Sequence, residues 1–377
     1  MRTALYLIND NLNACKFDST LDSANTLIIV FFNPLSNIQE LLSHLNKVYP
    51  QSIIIGSSSI IQIHPNGILN NKTTVSVTQF EKSTLKLKLY EATIENSAVT
   101  GETIGKDFSA DKNIKNLLLF CDGLNIDSTY LVNNINNVFE KNNITAPIIG
   151  GLAANKTGLT DTYIICKNKV LTHHVVAVAI YSDELKITTT ISKGWEPFGP
   201  LRTVTKCNYS TVYELDHIPA LDIYKSYLKD QVDKLPSSAF AFPLGITWKK
   251  NQNIVRTVAF INEVEKSLIF ADRVPENSQV QIMHNNVVRL LEEVKNTVQK
   301  SLENFNFDKP YFMLIISCAA RNALMGQKTE EEFEYLHELS HKPLSFTGFY
   351  SFGEIFPTDN ACGVLHNQSF TLAIYQE

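Results

Sequence analysis

The apolar run FMLIISC (312–318) ends in Ser317-Cys318, and Arg321 follows four residues after Ser317. A thiol and a guanidinium at the end of a buried strand mark either an ordinary loop or the rim of a small-molecule site. Tyr350, Glu354, His366 and Asn367 lie at strand ends or in short loops of the same C-terminal third. A guanidinium, a carboxylate and an amide converging on one cavity suit an amino-acid-type ligand, with Arg321 for its carboxylate and Glu354 for its amine. An enzyme using Cys318 as nucleophile is the alternative in another class. A nearby Arg321 would favour the thiolate, but no His is adjacent to Cys318 and no GxSxG is present.

The nine histidines raise the question of a metal. His173 and His174 are neighbours, so on a strand they point to opposite faces. HELSH (337–341) has HExxH spacing, whereas no CxxC occurs, which removes the zinc-ribbon pattern. His337 and His341 are four apart but Pro343 follows and no third ligand is near. Haem iron needs only one imidazole. His217, in ELDHIPAL just before an expected helix, and His366, in VLHNQ, are the candidates. His217 is preferred as the axial metal ligand, with Leu215, Ile218 and Leu221 as an apolar wall. The loop SKGWEPFGP (192–200) combines two prolines, two glycines, Trp195 and Phe198; stiffness with flat aromatic area suits a ligand-facing loop around Trp195 and equally a packed interdomain loop. GSSS (56–59) lacks the lysine and spacing of a phosphate-binding loop and reads as a tight turn, whereas GGLA (150–153) reads equally as a close backbone approach to a ligand or as a strand-end turn.

Bulk properties narrow the class. The 377 residues carry a net charge of −5 with no long basic run, which argues against nucleic acid and anionic membrane as partners. No run approaches the length of a membrane span, and the N-terminus lacks the apolar core of a signal peptide. Six scattered cysteines without a paired pattern suggest free thiols. The expectation is a cytoplasmic protein.

The elements that must position these residues alternate between α and β. TLIIVFF (26–32), a helix over 37–48 and a strand from Ser52 to Gly56 suggest a parallel pair. TTVSVTQF (73–80) and TLKLKLYEA (84–92) alternate with period two, as antiparallel neighbours would. A second strand–helix–strand set covers 116–123, 127–141 and 147–153. Tyr213–Leu228 suits a helix with Pro219 in its first turn. Residues 286–305 carry the clearest apolar stripe, and Thr329 opens a capping-box helix to about Leu339. Too many strands follow one another for a doubly wound fold. The expected fold class is mixed α/β (α+β), in two tandem halves, 1–228 and 229–377, each a mixed, largely antiparallel sheet with packed helices. The halves look analogous in element order, without repeated sequence.

Several tokens together resemble the FIST family of sensory modules: IIGSSS (54–59), GGLA (150–153), SKGWEPFGP (192–200) and ELDHIPALDIY (214–224), then RVPE (273–276), SCAAR (317–321), GFYSFGEI (348–355) and LHNQ (365–368). The resemblance spans nearly the whole chain. It implies FIST N-terminal and C-terminal domains that bind a small ligand and feed a signalling protein. It implies further, through a stand-alone branch, a haem-dependent nitric-oxide sensor that regulates a separate histidine kinase; an amino-acid sensor without haem is the alternative. A homodimer is compatible with either. Two positions depart from the family pattern: Asn155 replaces an expected acidic residue, and His217 stands where Gly is commoner.

Overall fold

The computed structural model describes residues 1–8, 15–34, 37–156, 161–248, 252–303, 305–339 and 343–377, so that His341 lies outside the described residues. The fold is mixed α+β, with helices packed on largely antiparallel sheets. Three six-stranded sheets follow one plan. Each has a parallel pair at its centre: Thr26–Phe32 with Ile53–Ser58, Ile114–Cys121 with Ile148–Leu152, and Tyr311–Cys318 with Phe346–Ser351. An antiparallel strand flanks each pair, namely Thr73–Gln79, His174–Tyr181 or Phe370–Gln376. Arg2–Ile8, Thr84–Glu91 or Lys186–Ser192 forms the outer edge beyond it. The apolar runs at the centres are buried on both faces, as parallel strands require.

The remaining two strands of each sheet are a hairpin lent by another unit. The hairpin over residues 62–69 of the first unit joins Phe346–Ser351 of the third. The hairpin over 164–171 of the second joins Ile53–Ser58 of the first. The hairpin over 354–366 of the third joins Ile148–Leu152 of the second. The loans close a ring, so no unit completes its sheet alone. Register makes Gly56, Gly150 and Gly348 equivalent. A Cβ at each would lie 2.0, 1.7 and 2.1 Å from the carbonyl oxygen of Val30, Leu119 and Ile315, respectively, across the parallel pair. IIGSSS, IIGGLA and FTGFYS are therefore three copies of one strand, and Gly56 and Gly150 serve strand approach rather than a turn. Phe31, Phe120 and Phe349 meet where the sheets come together, with ring centroids 4.4–5.9 Å apart.

Helices fill the outside of this body. α1 (Ile38–Val48) links the first parallel pair; α2 (Ser97–Phe108) precedes the second pair and α3 (Ser128–Lys141) links it. The strands at 73–79 and 84–91, expected to be neighbours, belong to different sheets, because each pairs with strands of its own unit.

Between Lys186–Ser192 and the third central pair the chain makes an insert with its own nine-stranded sheet and α4 (Ala220–Leu228). Its core includes Val204, Leu215, Leu221, Tyr224, Ile246 and Leu268. α4 begins at Ala220 rather than near Tyr213: Thr211–Leu215 is a strand, and Asp216 and His217, both with positive φ, turn the chain before Pro219. Strands on either side of position 228 pair inside the insert, Arg202 with Val280 and Thr211 with Ile269. Two adjacent segments form its neck, where Glu196 and Pro197 pair with His284 and Met283. α5 (Val287–Leu302) returns to the body with Leu290, Leu291, Val294, Val298 and Leu302 buried as their spacing predicts. α6 (Ala319–Met325) follows the third central strand. α7 (Glu331–Glu334) and α8 (Leu336–Leu339) divide the single helix expected from Thr329. Among the described residues no helix is long and apolar enough to cross a membrane.

Candidate functional site

A cavity of about 430 Å³ lies between body and insert. The body contributes residues at or just beyond the carboxyl ends of its central strands: Ile60, Gly123, Leu152, Cys318 and Phe352. Strand carboxyl ends are where αβ folds collect ligands, because side chains and loops there converge without closing the core. The insert covers this end with Phe240, Ala259, Phe260, Ile269 and Phe270. Phe260 is 42% exposed, so one wall of the cavity reaches the surface.

Against this apolar wall the insert sets Thr257 and Asp272. Thr257 lies beside Ala271, whose amide donates to the Thr257 carbonyl at 3.0 Å. Thr257 is buried and its hydroxyl has no partner within the protein. Burial pushes the Asp272 carboxyl up to about 6, against the pull of Arg256 and with a further push from Asp127. Its Oδ1 accepts the Arg273 amide.

Arg256 and Arg273 fasten the insert beside the cavity. Arg256 is fully buried. Its Nη1 donates to the Leu365 carbonyl and its Nη2 to Thr129 Oγ1, both at 2.9 Å. Arg273 binds Asp127 through Nε at 2.7 Å and Nη2 at 2.6 Å, and its guanidinium lies 4.1 Å from the ring centroid of Tyr130 and 5.1 Å from that of Tyr209. Sequence reasoning singles out RVPE but passes over Arg256 and Asp272. The available signal was a charged residue inside the apolar run IVRTVAF, which a buried strand tolerates only with partners.

Most of the C-terminal residues selected from the sequence do come together. Arg321 is fully buried and pairs with Glu332, Nε and Nη2 each 2.7 Å from Oε1. Ser317 and the Tyr350 hydroxyl each donate to Glu332 Oε2 at 2.8 Å. The carboxylate expected from a ligand is thus supplied by the chain, and Glu332, expected as a capping-box residue, is drawn inward instead. Glu354 accepts from Ser351 and Ser369 at 2.8 Å. Burial lifts its pKa to about 8 despite these bonds and Arg321. Burial and Glu354 also raise the Cys318 thiol, the reverse of what a nucleophile needs. Asn367 donates to the carbonyl of the cavity residue Phe352 at 3.0 Å.

Two models of known families match, the FIST N domain over residues 26–218 and the FIST C domain over 220–357. The chain belongs to the FIST family. FIST domains are sensory, ligand-binding signalling domains. The uncharacterized protein MJ1623 of Methanocaldococcus jannaschii is 27% identical over 262 residues, which cover 62% of this FIST chain and 49% of that protein. The chain thus spans about half the length of the curated relative it matches.

Within this FIST chain the remaining expected residues are dispersed. His217 is exposed in its turn, where its amide donates to Thr205 Oγ1 at 2.9 Å. The wall expected around it is not there: Leu215 and Leu221 are buried in the insert core, and Ile218 is 46% exposed. His366 is buried, and both ring nitrogens lack protein partners. Burial, Lys193 and Arg256 hold it in the neutral form. Neither histidine lines the cavity. Trp195 sits at the neck, packs with Leu290, Leu291 and Met325, and donates from its indole to the Gln368 carbonyl at 2.9 Å. Asn155, the other departure from the family pattern, donates to the Asp161 carbonyl at 2.9 Å. Among the described residues no cluster of three or more His, Cys, Asp or Glu is arranged to hold a metal ion.

Proposed function

We propose that this FIST chain senses a small, largely apolar molecule that enters the cavity between body and insert. The observation that carries the reading is the lining itself: both parts contribute walls to one apolar space, so a ligand there touches both. A ligand shifts an equilibrium only through contacts that differ between states. Here those contacts change how the insert seats on the body, and Trp195 at the neck reports the change. The altered seating is then read by a separate signalling protein, of which a histidine kinase is the expected class. Space of this size is within the range of small-molecule sites.

Haem and nitric oxide form the second ligand class. The neutral, unpartnered His366 is the observation in its favour, since iron binds neutral imidazole. The residues of the cavity serve haem less well, because they present no imidazole and their one thiol is held protonated. The Arg321–Glu354 arrangement expected for an amino acid is engaged internally, which also favours a ligand without a carboxylate.

The test fills the cavity. Ala320 lines it and is otherwise tightly enclosed. Ala320→Phe is expected to abolish binding of ethylnaphthalene, read by isothermal calorimetry, with an unchanged far-UV spectrum. Binding of equal strength in the variant would place the ligand elsewhere. A Soret band on haemin addition that is lost in His366→Ala and kept in Ala320→Phe would give the sensing site to haem.

A further inference from the structure

Resting on the reading of this cavity as the ligand site, we infer that its ligand is a planar aromatic molecule without a formal charge, held between rings of the insert and a smooth face of α6. Three features of the structure select that class.

The first is a set of rings without ring partners. The phenylalanines of this chain mostly pack into an apolar core or against another ring, as Phe198 and Phe242 do with His284. Phe240 and Phe260 do neither. Among the described residues they belong to no apolar core and touch no other ring, yet both line the cavity. Phe240 is half-buried and Phe260 exposed. The body adds Phe352, whose Cδ2 is 3.2 Å from the place a Cβ on Gly123 would take, and both residues line the same space. Rings attract other rings beyond the area they bury, through complementary faces and edges. Here that gain is left for a ligand to make.

The second feature is the relief of the wall beside them. The helical turn Ser237–Ala241, which carries Phe240, packs both on the strand Val258–Asn262, which carries Phe260, and on α6. α6 lines the cavity with Ala319, Ala320 and Ala323. Ala319 and Ala323 are four residues apart and so share one helix face. Ala259 and Ala271 of the insert are as small. Side chains of one carbon leave a low, even surface. A flat ring meets such a surface over its whole face, whereas a puckered skeleton touches it at fewer atoms and loses dispersion contacts.

The third feature is charge. Among the described residues no lysine, arginine or histidine lines the cavity, and Asp272 is its one acid. The Asp272 carboxyl is already engaged by Arg256, Thr129 and the Arg273 amide. A charged ligand would therefore be desolvated without a partner, which costs more than burying a neutral one.

Calorimetry on the full chain at neutral pH with three probes tests this: naphthylethanol, decahydronaphthylethanol and naphthylacetate. The two alcohols share a carbon skeleton and a head group, but one is flat and aromatic and the other puckered and saturated. Burial of apolar area alone favours the saturated probe, which is the larger. The inference reverses that order, and naphthylethanol is expected to bind about tenfold more tightly. Naphthylacetate is expected to bind more weakly than naphthylethanol. Phe240→Leu combined with Phe260→Leu should remove most of the aromatic preference and leave the affinity for decahydronaphthylethanol unchanged. Circular dichroism checks the folding of this variant, and Phe260→Leu alone, at an exposed position, decides if the double variant fails to fold. A saturated probe that binds as tightly as the aromatic one overturns the inference and leaves the cavity reading standing. So does a folded variant that keeps the full preference, and so does naphthylacetate binding as tightly as naphthylethanol. If none of the three binds, the cavity reading falls as well.

Discussion

Asp127 uses one oxygen to cap α3, accepting the Tyr130 amide at 2.9 Å, and the other to hold Arg273 of the insert at 2.6–2.7 Å. One buried carboxylate therefore both begins a helix of the body and clamps the insert beside the cavity. Asp127→Ala removes an N-cap and strands a guanidinium. The expected loss is about 3 kcal/mol, the cap and the broken ion pair together. Arg273→Met should cost a similar amount. The double mutant should recover about 1 kcal/mol or more of the summed loss, because the two share one interaction. Urea denaturation of the four proteins measures this.

Glu354 carries a distinct pH signature. Its folded pKa is raised from 4.5 to about 8 by burial, so the folded state holds a proton that the unfolded chain releases. The associated stability is fully present below about pH 4.5 and is lost as pH rises through about 8. Glu354→Gln imitates the protonated side chain and cannot ionise. Relative to wild type, the variant should therefore gain stability steadily as pH rises from about 5 to about 8, as read from urea midpoints at each pH. A difference independent of pH would show that Glu354 is already ionised in the folded protein.

The buried pair of Arg321 and Glu332 makes a prediction that separates scaffold from ligand contact. Arg321→Ala leaves Glu332 uncompensated among Ser317 and Tyr350, and about 3–5 kcal/mol of stability should go with it. Arg321→Met combined with Glu332→Leu should recover much of that loss, since apolar replacement of both partners is often neutral. An Arg321→Ala protein of undiminished stability would mean that Arg321 is spare for a ligand.

How far the sequence shows this arrangement depends on what each residue packs against. Helices with a wide apolar stripe, α1 and α5, are readable at once, because Leu41, Leu42 and Leu45 or Leu290, Val294 and Val298 recur at helical spacing. α2 is not, because it meets α3 through Gly101 and Gly105 instead of large side chains. The ring of lent hairpins is invisible to periodicity, since a hairpin over 354–366 carries no mark of the sheet it will complete. Convergence of Cys318, Tyr350 and Glu354 follows from their places at or beyond the ends of neighbouring strands, but the partner that occupies Arg321 sits in a separate acidic stretch that reads as a helix cap. Asp272 and Thr257 escape notice because only the folding of the insert over the body makes them part of a cavity.

The threefold plan has its own test. Gly150→Ala would drive a Cβ into the Leu119 carbonyl, and a loss above about 4 kcal/mol is expected, at the severe end for one substitution. Gly326 is the control: it has φ +55°, and a Cβ placed there would meet nothing within 4 Å. Gly326→Ala should cost only the left-handed strain, about 1–2 kcal/mol. Thermal denaturation of both variants distinguishes close strand approach from backbone conformation.

The most direct measurement is a crystal structure of the full chain soaked with naphthylethanol. Density for the ring system is expected between Cys318 and Phe270, in contact with both body and insert. Bound naphthylethanol elsewhere on the molecule, with this cavity empty, would contradict it.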